Sequence, residues 1–142
     1  MYAVGLMSGT SLDGIDAVLC KIEGVGKNTK VEQLFFETYS LTQEIKDKIQ
    51  KCCQNKASTE LICSLNFEFG VILGKAAKSI IDKAKIPYKE IAFVASHGQT
   101  IYHIPKNKKI LLLVHYKLVN LQKLLGYVIV QLLVILEPKI WL

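Results

Sequence analysis

"GLMSGTSLDGID", residues 5–16, sets three glycines, three hydroxyls and two acids directly behind a short apolar run. The apolar run, "YAVGLM" (2–7), stops at Ser-Gly and reads as a buried strand. "IDAVLCKIE" (15–23) alternates as a second strand, and the aromatic-rich "VEQLFFETYSL" (31–41) is a third. Short links between them predict an antiparallel three-stranded meander. The glycine-rich stretch is then a tight turn between the first two strands. Such a turn can point its backbone N–H groups inward as a nest for an anion. Gly9 and Gly14 let the backbone approach a ligand. Thr10 and Ser11 add hydroxyl donors, and Asp13 supplies a carboxylate able to hold hydrated Mg²⁺ beside phosphates. Asp16, in the strand, is placed to orient or satisfy that cluster. An ordinary hairpin uses the same residue types, so composition alone leaves both readings open. A Walker A loop is excluded, because no Gly-Lys-Ser/Thr follows and the next element is a strand.

Downstream, "QEIKDKIQKC" (43–52) has helical spacing. Ser58 can cap a long helix reaching Ala84, with Glu60 at the positive end of its dipole. Leu61, Leu65, Phe69, Ile72, Ala76, Ile80 and Ala84 follow three-four spacing. Ile62, Leu73, Ala77 and Ile81 widen that stripe, so the helix packs on a sheet. Pro87 stops it. "EIAFVAS" (90–96) follows as a buried strand, parallel to a neighbour after the crossover helix. The order β-β-β-α-α-β defines an α/β fold.

Of the 142 residues, 51% are hydrophobic, which excludes a disordered chain. The net charge of +6 is unevenly spread. Residues 1–105 hold 12 Lys and 11 acids (+1); residues 106–142 hold 6 Lys and 1 acid (+5). A basic tail without a single Arg is no nucleic-acid reader. Cys20, Cys52, Cys53 and Cys63 form no C-x-x-C pair and complete no zinc pattern, and are expected as small buried or half-buried thiols in a reducing cytosol. No signal-peptide pattern opens the chain. A Ser11–His97–Asp hydrolase lacks the Gly-x-Ser-x-Gly elbow and is set aside.

The identities in "GLMSGTSLDGIDA" (5–17) go further than their composition. This stretch closely resembles the opening of the anhydro-N-acetylmuramic acid kinase family, cytosolic enzymes of cell-wall recycling with the actin and sugar-kinase fold. The resemblance implies a ribonuclease-H-like lobe whose first hairpin wraps nucleotide phosphates. It places Gly9, Thr10, Ser11, Leu12, Asp13, Gly14, Ile15 and Asp16 in an ATP-binding segment. "SHGQTIYHIP" (96–105) resembles the family's Ser-His-Gly-Gln-Thr segment of the sugar cleft. His97, Gln99 and Thr100 are suited to bond sugar hydroxyls, and Gly98 allows close approach. His103 is read as structural, and Asn66, in "SLNFEFG" (64–70), as core packing that can brace the cleft.

The implied reaction opens the 1,6-anhydro ring of anhydro-N-acetylmuramic acid and phosphorylates O6 with ATP and Mg²⁺, in the cytoplasm. The implied catalytic base lies beyond the end of the match, and the oligomeric state is left open. The motif resemblance covers residues 1–110, a partial N-terminal kinase lobe, and residues 111–142 read as an aberrant apolar tail. Codons allowed for "VHYKLVNLQ" (114–122), read one base earlier, encode Ser-Thr-Leu-Gln-Ile-Gly-Glu-Pro-Ala, a family sequence. The same shift turns "VILEPKIWL" (134–142) into a run containing Asp-Phe-Arg-Thr-Lys-Asp-Met-Ala. The expectation is a frameshift near residues 109–114 and an incomplete, inactive kinase. The rival reading is a non-catalytic binding or membrane-associated remnant. "LLGYVIVQLLVIL" (124–136) is, however, shorter than the ~20 residues that span a bilayer. A third reading packs the tail on the exposed sheet. In each case unpaired apolar surface favours aggregation.

Overall fold

The computed structural model describes residues 1–104, 114–126 and 131–134. The alternation in the first forty residues becomes β1 (Tyr2–Ser8), β2 (Gly14–Glu23) and β3 (Lys30–Ser40). β1 pairs antiparallel with β2, and β2 with β3. α1 (Gln43–Cys53) and α2 (Thr59–Ala84) follow, and then β4 (Ile91–Ser96), which pairs parallel with β1. β5 (Gln99–Ile104) and β6 (Val114–Leu118) form a separate antiparallel hairpin. The short helix α3 (Leu121–Leu125) leads to β7 (Gln131–Val134), parallel to β4. The main sheet runs β3-β2-β1-β4-β7, giving a mixed α/β architecture compatible with a sugar-kinase-like lobe.

α2 begins where the sequence offers a cap: Ser58 Oγ accepts from the Leu61 N–H at 3.1 Å. It ends at Ala84, with Lys85 left-handed (φ 56°) and Pro87 beyond. Its inward stripe, Leu65, Phe69, Leu73, Ala76, Ala77, Ile80 and Ile81, is buried against Val4, Leu6, Ile15, Ala17 and Leu19 of β1 and β2. The opposite sheet face carries Met7 and Phe36, 47% and 56% exposed.

Part of the tail joins this core. Leu118 and Leu124 are fully buried, and the Val119 N–H donates to Asn66 Oδ1 at 3.0 Å. A Cβ on Gly70 would lie 2.7 Å from Asn120, so a glycine on α2 is what lets the chain before α3 approach. Packing on α2, together with the β4–β7 pairing, comes nearest to the reading in which the tail packs on the sheet. Residues 109–113, most of the proposed frameshift region, lie outside the described residues, as do Pro105 and much of the apolar run 124–136. Among the described residues no helix is long and apolar enough to cross a membrane.

All four cysteines are free. Cys52 is buried and Cys20 half-buried, but Cys53 and Cys63 are exposed, correcting the expectation for that pair. Cys53 closes α1 on its solvent side, and Cys63 faces outward from the first turns of α2. Burial pushes the thiols of Cys20 and Cys52 up from their ordinary value, which disfavours the thiolate.

Two ion-pair clusters tie α2 to its neighbours. Lys83 Nζ meets the Glu37 carboxylate of β3 at 2.5 Å. Lys78 pairs with Asp82 at 2.6 Å, and the Tyr88 hydroxyl donates to the same carboxylate. The hydrogen bond from Lys78, then that from Tyr88, holds the Asp82 carboxyl below its ordinary 3.8; Lys83, then Tyr39, holds Glu37 below 4.5. Both folded values are depressed, so their stabilisation is full above the unfolded values and is lost as pH falls through the folded ones. The thermal midpoint should therefore stay flat from pH 7 to about 5 and fall below that, and Asp82→Asn should flatten the acid limb. An unchanged acid limb in Asp82→Asn would assign the slope to other carboxylates. The pairs are half-exposed, so salt should shrink the effect.

Candidate functional site

β1 and β4 run parallel with Leu6 opposite Ser96, so their C-terminal ends lie side by side. In α/β sheets ligands bind beyond those ends. The glycine-rich loop leaves β1 there, and the His97–Gly98–Gln99–Thr100 segment leaves β4. The His97 N–H donates to Leu6 O at 3.0 Å, and Ser8 Oγ donates to Gln99 Oε1 at 2.6 Å. Two motifs about ninety positions apart in sequence thus meet at one edge.

Within the loop, Thr10, Ser11 and Asp13 are exposed, and Leu12 adopts φ 58°. A left-handed residue inside such a turn is what builds a backbone nest. For leucine this conformation costs about 1–2 kcal/mol. Leu12 is held in it by packing its side chain against the core. Among the described residues one loop amide, that of Leu12, donates within the loop, to Gly9 O at 3.3 Å. A Cβ on Gly9 would meet only Ser11 Oγ, at 3.6 Å, so that position is open. The exposed hydroxyls, the open glycine and the exposed Asp13 carboxylate suit a polyphosphate with its cation. Among the described residues no group of three His, Cys, Asp or Glu side chains could hold a metal ion.

The rest of the segment turns elsewhere. Gly14 is buried, and a Cβ there would lie 2.6 Å from Tyr39 O, so this glycine serves the β2–β3 contact. Ile15 is fully buried in the core. The Asp16 carboxylate accepts from Thr38 Oγ1 of β3 at 2.6 Å.

On the second motif, Gly98 has φ +66° and lies beneath β6: a Cβ would meet Leu118 O at 2.8 Å and Val119 Cβ at 3.0 Å. The Gly98 N–H donates to Ser96 Oγ at 3.1 Å. His97 is half-buried, with Lys117 Nζ 2.7 Å from its Nε2. Lys117 was not among the predicted residues: it lies in the tail, and only the β5–β6 pairing brings it here. Thr100 is half-buried and His103 exposed. Gln99 is 1% exposed, its Oε1 taken by Ser8 and its Nε2 donating to Thr100 O at 3.0 Å. Ser8 was also missed, although it stands inside the quoted stretch, because it was read only as the residue at which the apolar run stops. An open cleft of about 400 Å³ between the end of α1 and the β5–β6 hairpin, lined by Cys52, Ile101, Tyr102 and Tyr116 among others, contains none of the predicted residues.

The family model described as anhydro-N-acetylmuramic acid kinase matches residues 1–122. The chain belongs to that family. The family match runs past residue 110 into the tail. An anhydro-N-acetylmuramic acid kinase of Clostridioides difficile (strain 630) is 56% identical over 108 residues, 75% of this chain and 28% of the relative. Proteins of the same name from Bacillus cereus are 44% identical over 109 residues (strain G9842) and 48% over 107 (strain ATCC 10987), again covering 28% of each. The chain thus spans little more than a quarter of the length of the curated relatives it matches. In this member of the anhydro-N-acetylmuramic acid kinase family, the matched part carries both motifs.

Proposed function

We propose that this chain is the nucleotide- and sugar-holding part of an ATP-dependent anhydro-N-acetylmuramic acid kinase of actin and sugar-kinase fold, acting in the cytoplasm. The observation that carries the reading is the junction of the two motifs at one sheet edge, through Ser8–Gln99 and His97–Leu6. The Gly9–Thr10–Ser11–Leu12–Asp13 turn offers its amides and hydroxyls to the phosphates, and Asp13 holds Mg²⁺ through water. His97 and Thr100 face the anhydrosugar, and Gly98 keeps the backbone close. Bound Mg-ATP supplies the phosphoryl group and neutralises its charge. The chain's contribution is positioning, the dominant protein term in phosphoryl transfer. The base that activates water lies outside residues 1–110, so the 142-residue chain alone has no kinase activity. Residues 111–142 come from a shifted frame, which the shared one-base shift of both tail segments supports.

Adding Mg-ATP to the ¹⁵N-labelled chain should shift the amides of residues 9–13 saturably. Asp13→Asn should raise the dissociation constant about tenfold, as expected for loss of one charge-assisted contact. The same chain should leave the anhydrosugar unphosphorylated, and resequencing the locus should place the missing family segments out of frame. Unshifted loop amides would remove the nucleotide reading. Phosphorylation of the sugar, or an intact single frame, would remove the truncation.

A further inference from the structure

The buried polar residues among the described ones are Ser8, Ser96 and Gln99, 2%, 0% and 1% exposed, and all three sit where β1 and β4 end. Elsewhere the described core is apolar. Buried polar networks are demanding: each member must be satisfied, and a satisfied network fixes one arrangement. Here each has a partner. Ser8 Oγ donates to Gln99 Oε1 at 2.6 Å, Gln99 Nε2 donates to Thr100 O at 3.0 Å, and Ser96 Oγ accepts from Gly98 N at 3.1 Å. Ser8 immediately precedes Gly9, the first residue of the phosphate loop.

We infer that Gln99 is a positioning residue rather than a sugar ligand: through Ser8 it fixes the root of the phosphate loop against the His97–Thr100 segment. A glutamine offering its amide to a sugar would leave one polar end toward the cleft. This one spends Oε1 on Ser8 and Nε2 on Thr100 O, and its side chain is out of reach of solvent. The geometry of the nucleotide loop is thereby tied to the segment that meets the sugar. The inference rests on the proposed nucleotide role of residues 9–13.

Its test compares Ser8→Ala, Gln99→Leu and the double variant of the 142-residue chain with wild type, with folding checked by circular dichroism. In the free protein, ¹⁵N relaxation should show the amides of residues 9–13 less ordered in all three variants. Mg-ATP should bind each about tenfold more weakly, the size expected for one lost positioning contact, and the double variant no worse than either single one. Ser8→Thr keeps the hydroxyl donor for Gln99 Oε1 and should bind Mg-ATP within about threefold of wild type. It also serves if Gln99→Leu does not fold. Loop order and Mg-ATP affinity unchanged in Ser8→Ala and Gln99→Leu would overturn the link. So would loss of anhydrosugar binding in Gln99→Leu that Ser8→Ala does not share. If wild type itself binds no Mg-ATP, the nucleotide reading fails on its own, and the free-protein loop order still decides whether Gln99 fixes the loop.

Discussion

Phe69→Ala should lower the unfolding free energy of the chain by about 3–5 kcal/mol, the range for deleting a buried phenyl ring. Phe69 is fully buried on the face of α2 that lies on the sheet. Its removal forfeits the transfer of the ring from water and leaves a hole that Leu65 and Leu73, a turn away on either side, cannot close without moving the helix. Domains of this size hold about 5–15 kcal/mol in total, so the loss takes a large share of the margin. The thermal midpoint should fall by about 10–20 °C. Phe67, two residues earlier, is 47% exposed, with Lys123 Nζ 5.9 Å from its ring. Phe67→Ala should change stability by no more than about 0.5 kcal/mol. Equal effects from the two substitutions would mean that α2 does not lie on the sheet by the stripe described.

That stripe was readable from the sequence, and the reason is physical. An amphipathic helix of this length repeats its signal seven times, and its ends are marked by a capping serine and a proline. Strands β1 to β4 were readable for a similar reason, since each is an apolar or alternating run bounded by turn residues. The β5–β6 hairpin was not. Gln99 and Thr100 look like ligand-contacting polar residues, and their strand partners, Leu118 and Lys117, lie across residues where the motif resemblance ends and a shifted frame was read. The roles of Gly14 and Asp16 were equally hidden. Gly14 is set by the backbone of Tyr39 and Asp16 by Thr38, both contacts across a register that local sequence does not specify. Residue identities located the candidate site at two motifs. They did not say that Gln99 points inward, because that depends on Ser8, about ninety positions away.

The same long-range packing makes Gly98 the most sensitive position of the second motif. Gly98→Val should lower stability by about 2–6 kcal/mol, from two additive causes. A β-branched residue at φ +66° carries strain of order 1–3 kcal/mol. Its Cβ would also press on Leu118 O and Val119 Cβ, and overpacking of that kind costs about 1–3 kcal/mol. Gly26 separates the two causes, because it has φ +56° and nothing within 4 Å of a Cβ. Gly26→Ala should show strain alone, about 1 kcal/mol, the lower end of the range because alanine is not branched. The excess at Gly98 should appear locally as well. β6 would be pushed off the motif, the Val119–Asn66 hydrogen bond would open, and the Val119 amide would exchange with solvent faster than in wild type. If Gly98→Val is no worse than Gly26→Ala, and Val119 stays protected, then β6 does not cover the His97–Thr100 segment. Lys117 would then have no claim to a place beside His97.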